Sequence, residues 1–189
     1  MKILITGCAG FIGFHLAYSL ISKKNKVYGI DNLNAYYSIK LKKDRLNEIK
    51  KKAKKNKFFF KFKKIDISDY KKLNSFFKKN KFDHVINLAA QAGIRYSIQQ
   101  PSQYLKSNLV GFFNLIDLSK KFKIKHFIYA STSSVYGMKK KFQFKENLNT
   151  DHPLQFYAAT KKSNEVIAHA YSSLFKIATT GLRFFTVYG

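Results

Sequence analysis

The chain has 189 residues, 46% of them hydrophobic, which is enough for one substantial core and too little for two ordinary domains. Its 36 basic residues against 10 acidic ones give a formal charge of +26, a balance that points first to nucleic acid or an anionic surface. Against this, Arg45, Arg95 and Arg183 are the only guanidinium forks among a crowd of lysines, so no nucleic-acid partner is expected and most of the charge reads as solvated surface. No apolar run reaches the roughly 18 residues of a membrane span, which argues against a membrane partner. Cys8 is the single cysteine and the 5 histidines have no ligand spacing. An internal disulfide and a metal site are therefore not expected, and a reducing, cytoplasmic compartment is, with no secretory signal at the strand-like start.

The first element, Lys2-Ile3-Leu4-Ile5, has the pattern of a buried strand. It runs into Thr6-Gly7-Cys8-Ala9-Gly10-Phe11-Ile12-Gly13, after which apolar residues recur at helical spacing through Ile21. Strand, glycine turn and helix in this order form a phosphate-binding device. Gly7 can take backbone angles closed to other residues, Gly10 lets a phosphate approach the main chain, and Gly13 lets helix and strand pack closely. The free N–H groups and positive dipole end of the helix, which Phe11 and Ile12 open, favour a pyrophosphate. The second strand, Lys26 to Ile30, ends in Asp31, about 20 residues beyond the loop, where an acid bonds an adenosine ribose. A carboxylate there accepts from the 2′-hydroxyl and repels a 2′-phosphate, so NAD is expected over NADP, with Asn32 beside it.

A lysine-rich helix follows with Leu41, Leu46, Ile49 and Ala53 as its apolar stripe. Phe58 to Phe62 is the expected third strand. It leads to Asp66 and Ile67, where an acid can meet the adenine amino group or serve the start of the helix near Asp69. That helix carries Tyr70, Leu73, Phe76 and Phe77. His84 to Leu88 is the fourth strand, and the small residues from Ala89 and Ala90 to Gly93 permit close contact with a flat ligand facing the glycine loop. Pro101 opens a long helix in which Ser107 and Asn108 are polar where burial is expected. A fifth strand, Lys125 to Ala130, ends in the hydroxyl cluster Ser131-Thr132-Ser133-Ser134. The stretch from Met138 to Pro153 reads as a surface loop, and Tyr157 and Lys161 then fall on one face of a final helix at i, i+4. A positive neighbour lowers a tyrosine pKa towards that of a general base. Strands alternating with helices at this rhythm predict an α/β doubly wound parallel sheet, a Rossmann fold, filling residues 1–189 as one NAD-binding domain with no second domain.

Taken together, Thr6 to Gly13, Asp31 to Asn34, Asn87 to Gly93, Ser131 to Gly137, Tyr157 to Lys161 and Leu182 to Gly189 resemble the extended, nucleotide-sugar branch of the short-chain dehydrogenase/reductase superfamily. The segments Asp31 to Asn34, Leu41 to Arg45 and Ala90 to Ser97 are similar to UDP-glucuronate 4-epimerases in particular. The resemblance implies that Leu88, Ala89, Ala90 and Asn108 join the NAD site. It gives Tyr157 the proton of the sugar 4-hydroxyl while C4 passes hydride to NAD, with Lys161 keeping Tyr157 acidic and binding the nicotinamide ribose. Thr132 is the implied catalytic hydroxyl, with Ser131 and Ser133 as alternatives. Thr186 is placed near the UDP-sugar and Arg95 near one of its anionic groups. It also implies a substrate-binding part beyond Gly189 that this sequence lacks, and a possible homodimer through the helices after Pro101 and around Tyr157. Alternatives are another UDP-sugar epimerase, dehydratase or decarboxylase, and a non-catalytic NAD-binding fragment.

Overall fold

The computed structural model describes residues 1–138 and 143–189. Its centre is β1 (Lys2–Thr6), whose side chains divide between two cores: Leu4 faces one and Ile3 and Ile5 the other. Alternation of this kind, apolar on both faces, is what a strand buried in a parallel sheet requires. Five further strands flank it, β2 (Lys26–Asp31), β3 (Phe60–Lys64), β4 (His84–Asn87), β5 (His126–Thr132) and β6 (Thr179–Phe184), giving a six-stranded sheet of order β3-β2-β1-β4-β5-β6. Every neighbouring pair is parallel. The doubly wound sheet expected from the alternating pattern is thus present.

Helices α1 (Phe11–Ser22) and α2 (Ile39–Lys55) close one core through Ala17, Ile21, Leu46 and Ile49. On the opposite face, α3 (Tyr70–Asn80) contributes Leu73 and Phe77, α6 (Phe112–Lys121) contributes Phe112, Leu115 and Ile116, and α7 (Phe156–Phe175) contributes Ala168. The Asp69 side chain caps α3 by accepting from Lys72 N–H at 3.0 Å, and Ser38 caps α2 by accepting from Leu41 N–H at 3.2 Å.

Several boundaries differ from expectation for local reasons. Phe58 N–H is taken by Ala53 O at 2.8 Å as α2 unwinds, so β3 starts at Phe60. The capped start of α2 sets a phase in which Leu41 is exposed and Lys42 turns inward. Tyr70, expected in the α3 stripe, is exposed at the first turn. The long helix from Pro101 is interrupted: α4 (Ile94–Gln99) precedes it, and α5 (Pro101–Tyr104) passes through a π-helical stretch, Leu105–Gly111, before α6. Of the expected loop between Met138 and Pro153, residues 139–142 lie outside the described residues, and the rest carries no helix or strand.

Candidate active site

The sheet order reverses between β1 and β4, and the loops leaving these strands part there to form a cleft. Thr6 ties its two banks together, donating to Asn87 Oδ1 at 2.6 Å and accepting from Ala89 N–H at 3.1 Å. The glycines act as the spacing predicts. Gly7 has φ +68° and lies so close to the other bank that a Cβ would come within 2.8 Å of Ala89 N; at Gly13 a Cβ would sit 2.1 Å from Gly7 O. Helix α1 begins with no side-chain cap and no acid in its first turn. Its leading N–H groups, at Phe11, Ile12 and Gly13, therefore border the cleft without an internal acceptor.

The half beside the end of β2 is bordered by Asp31, Asn32, Ile65, Ile67, Leu88, Ala89, Ala90 and Gln91. Asp31 accepts from Leu33 N–H at 2.8 Å and from Ala9 N–H at 3.2 Å, which fixes its carboxylate against the glycine loop. Asp66 stands at the turn between β3 and α3. Burial alone would raise its pKa, but Ser68 N–H (2.9 Å), Ser68 hydroxyl (2.7 Å) and Asn32 Nδ2 (3.1 Å) all donate to it and hold it below the usual carboxylate value. Its Oδ2 takes one of these donors and keeps an acceptor site free, and its neighbour Ile67 borders the cleft. Asn114 Nδ2 holds Ile67 O at 3.0 Å, and Gly111 leaves room where a Cβ would meet Ile67 Cγ1 at 2.5 Å.

Asn108 is displaced from its expected role. It is 1% exposed and spends its amide on the Gln91 backbone, accepting from N–H at 2.8 Å and donating to C=O at 3.0 Å, with a further bond to Thr160 Oγ1 at 3.0 Å. It clamps the bank to α7 and does not line the cleft. Gln91 itself is 5% exposed, borders the cleft and has an Nε2 without a protein partner. A ligand with oxygen acceptors fits the glycine cradle and the bare helix end; a dinucleotide has them at its pyrophosphate.

The other half brings Thr132, Tyr157 and Lys161 together beside Phe11, Ile12 and Gly13. Lys161 is 2% exposed and donates to Ala130 O at 2.9 Å; burial pushes its pKa down to about 8. The expectation that Lys161 lowers the Tyr157 pKa is not met in this structure. Burial raises Tyr157 above its ordinary value, and the Thr132 hydroxyl is what draws it back. Thr132 also accepts from Ser134 N–H at 3.2 Å, which orients it at the end of β5. Ser131 is committed elsewhere, donating to Glu165 Oε1 at 2.6 Å, and Glu165 is in turn paired with Arg183 at 2.9 Å. Ser133, Arg95 and Thr186 are not brought to the lining of either half, and Arg95 and Thr186 are exposed. Cys8 is fully buried, and burial raises its thiol pKa, in keeping with a small filler.

Tyr36, Tyr37 and Lys42 line the cleft and were not among the expected site residues, although they fall within or beside segments that carry the resemblance. The signal for Lys42 was present in the register of α2, which places it inward only once Ser38 is recognised as the helix cap.

The comparisons agree with this geometry. A family model described as GDP-mannose 4,6 dehydratase matches residues 4–189. Protein CapI of Staphylococcus aureus is 53% identical over 189 residues, covering 100% of this chain and 55% of its own length. A probable UDP-glucuronate 4-epimerase of Rhizobium meliloti (strain 1021) is 44% identical, with 100% and 54% covered. Among solved structures, UDP-glucuronic acid 4-epimerase from Bacillus cereus, in complex with UDP-glucuronic acid and NAD, matches with a TM-score of 0.89 at 36% identity, covering 100% of this chain and 58% of that one. The chain thus spans about half the length of the curated relatives it matches. By the extent of the family match and the cleft it encloses, the chain belongs to the GDP-mannose 4,6 dehydratase family of extended short-chain dehydrogenase/reductases.

Proposed function

We propose that this chain is the NAD-binding and catalytic portion of a UDP-sugar 4-epimerase, converting UDP-glucuronate to UDP-galacturonate. The observation that carries the reading is a single cleft running from Asp31, past the uncapped end of α1, to Thr132, Tyr157 and Lys161. Asp31 holds the adenosine ribose, the α1 N-terminus the pyrophosphate and Lys161 the nicotinamide ribose. NAD, when bound, supplies the acceptor that takes hydride from sugar C4 and gives it back to the other face. Tyr157 moves the proton of the 4-hydroxyl, and Thr132 bonds the same oxygen. Burial keeps Tyr157 a phenol at neutral pH, the form that reprotonates the sugar oxygen. Taking the proton requires the phenolate, which Lys161, an ammonium at pH 7 bonded to Ala130 O, favours only when it turns toward the phenol.

A dehydratase needs an acid beside the catalytic hydroxyl, and this disfavours it: the nearest acid to Ser131 is Glu165, already paired with Arg183. The sugar's identity is supported by the relatives named above. The surface lysines favour approach of an anionic nucleotide-sugar, and the lone, buried cysteine suits a cytoplasmic setting. Val110, Phe113 and Val166, exposed on the helices after Pro101 and around Tyr157, support a homodimer.

The test is to titrate NAD into the 189-residue chain by calorimetry and then to incubate the chain, fused to the remaining part of Protein CapI of Staphylococcus aureus, with NAD and UDP-glucuronate. Formation of UDP-galacturonate that Tyr157→Phe abolishes is the expected result. No turnover by the fused chain would leave a nucleotide-binding module and remove the epimerase, and no NAD binding would remove both.

A further inference from the structure

Helix α7 is fastened to the end of β5 by two polar bonds one helical turn apart. Lys161 donates to Ala130 O at 2.9 Å, and at i+4 Glu165 Oε1 accepts from the next residue of the strand, Ser131 Oγ, at 2.6 Å. Arg183 completes the second bond. In the parallel register of β5 and β6 it stands beside Ser131, and its fork grips Glu165 twice, Nε to Oε1 and Nη2 to Oε2, each at 2.9 Å. Its remaining nitrogen, Nη1, donates to Glu146 O at 3.0 Å, and the guanidinium lies 4.9 Å from the centre of the Tyr136 ring. The Arg183 and Glu165 side chains are only 20% and 15% exposed, so this is not a solvated surface pair. Burial alone would raise the Glu165 carboxyl, and the bonds from Arg183 and Ser131 hold it below its usual value.

A desolvated ion pair contributes little net stability, and apolar side chains of similar volume fasten a helix to a sheet as well. What they lack is direction. The bidentate fork leaves Glu165 a single orientation, and in it Oε1 fixes the Ser131 hydroxyl. Ser131 borders the half of the cleft that holds Ala130, Thr132, Tyr157, Lys161 and Phe184, all of them from β5, α7 or β6, the three elements that the pair joins. Among the described residues, none from those elements borders the half beside Asp31. Resting on the reading of this cleft as NAD-binding, we infer that Glu165 and Arg183 are positioning residues for the nicotinamide end of the cofactor. They act through Ser131, setting the end of β5 against α7 so that Ala130 O holds the Lys161 ammonium where the nicotinamide ribose arrives.

The test is to measure, by calorimetry, dissociation constants for NAD and for ADP, which shares the adenosine and pyrophosphate and lacks the nicotinamide riboside. Both are measured on the 189-residue chain, on Ser131→Ala and on the apolar pair Glu165→Leu/Arg183→Met. An inactive fraction lowers the stoichiometry of both titrations alike and leaves the ratio of constants untouched. Each variant should weaken NAD at least about fivefold more than ADP, the size of one lost hydrogen bond. The apolar pair keeps helix and sheet packed, so a merely structural role predicts an unchanged ratio there, and that result overturns the inference. A ratio moved by Ser131→Ala and not by the apolar pair also overturns it, since Ser131 would then meet the cofactor directly. Should the apolar pair not fold, Ser131→Ala, which removes a single hydroxyl, decides by the same criterion. Binding of neither nucleotide by the parent chain would refute the cofactor reading itself.

Discussion

Lys161→Met should stabilise the nucleotide-free protein. Lys161 is 2% exposed and its ammonium has one protein acceptor, Ala130 O. Burial lowers its pKa from 10.5 to about 8. A lysine whose folded pKa lies below its unfolded value binds fewer protons in the fold than in the unfolded chain at any pH between the two. The fold therefore carries a penalty that is full below pH 8 and is recovered as pH rises towards 10.5. At 1.36 kcal/mol per unit the penalty is about 3 kcal/mol at pH 7 and roughly half that at pH 9.5. Methionine keeps an apolar stem of similar length and removes the charge. Allowing about 1 kcal/mol for the lost hydrogen bond, the net gain is about 2 kcal/mol at pH 7 and close to zero at pH 9.5. For a domain of this size the gain at pH 7 corresponds to a rise in Tm of about 4–8 °C. Urea unfolding followed by circular dichroism at the two pH values measures it. A loss of stability at pH 7, or a gain that does not shrink with pH, would refute the reasoning. The same variant should bind NAD more weakly, since stability is recovered at the expense of a ligand.

Tyr157→Phe should leave NAD affinity and melting temperature near the parent values and reduce epimerisation by about 10²–10⁴-fold in an active enzyme, as read by product chromatography; retained turnover would strip Tyr157 of its proton. Asp31→Arg should weaken NAD and strengthen NADP, and equal NAD affinity before and after would take Asp31 off the ribose. Asn108→Leu leaves the buried N–H and C=O of Gln91 without partners and should cost about 2–4 kcal/mol in chemical denaturation. A cost below about 1 kcal/mol would mean that the bank is held by something other than this amide.

The sheet was legible because its signals are local: β1 and β4 are short apolar runs, and the glycines of the first turn have steric duties that no other residue fulfils. The structure brings Asp31, Tyr157 and Lys161 to the cleft, as their spacing relative to those elements leads one to expect, and Thr132, which the resemblance alone singles out, joins them. What was not legible depends on phase and on competition between polar partners. Lys42 and Leu41 differ by one position, and only the Ser38 cap decides which of them turns in. Asn108 and Asp66 are polar residues near a cleft, which sequence reading assigns to the ligand. The structure commits Asn108 to the Gln91 backbone, while Asp66 accepts from Ser68 and Asn32 and keeps an acceptor site free. Asn108 sits in a π-helical stretch that has no simple periodicity. The Tyr157 pKa followed the same logic: i, i+4 spacing shares a face, but the Lys161 ammonium bonds Ala130 O and burial then dominates the phenol.

The net charge of +26 is the loudest feature of the composition, yet among the described residues only Lys42 and Lys161 bring lysine charge to the lining of the cleft. Burial, and not abundance, distinguishes these two from the other described lysines. Charges exposed to solvent are screened within about 8 Å at physiological salt, whereas buried ones are screened far less. NAD binding governed by Lys42, Lys161 and the N–H groups of α1 should therefore change by less than about threefold between 50 and 500 mM salt. A partner held by the surface lysines, nucleic acid above all, would lose roughly 10³-fold or more over a comparable range. Measuring both on one preparation separates the two sources of positive charge. A steep salt dependence of NAD binding would place the nucleotide on the lysine-covered surface and empty the cleft of its proposed function.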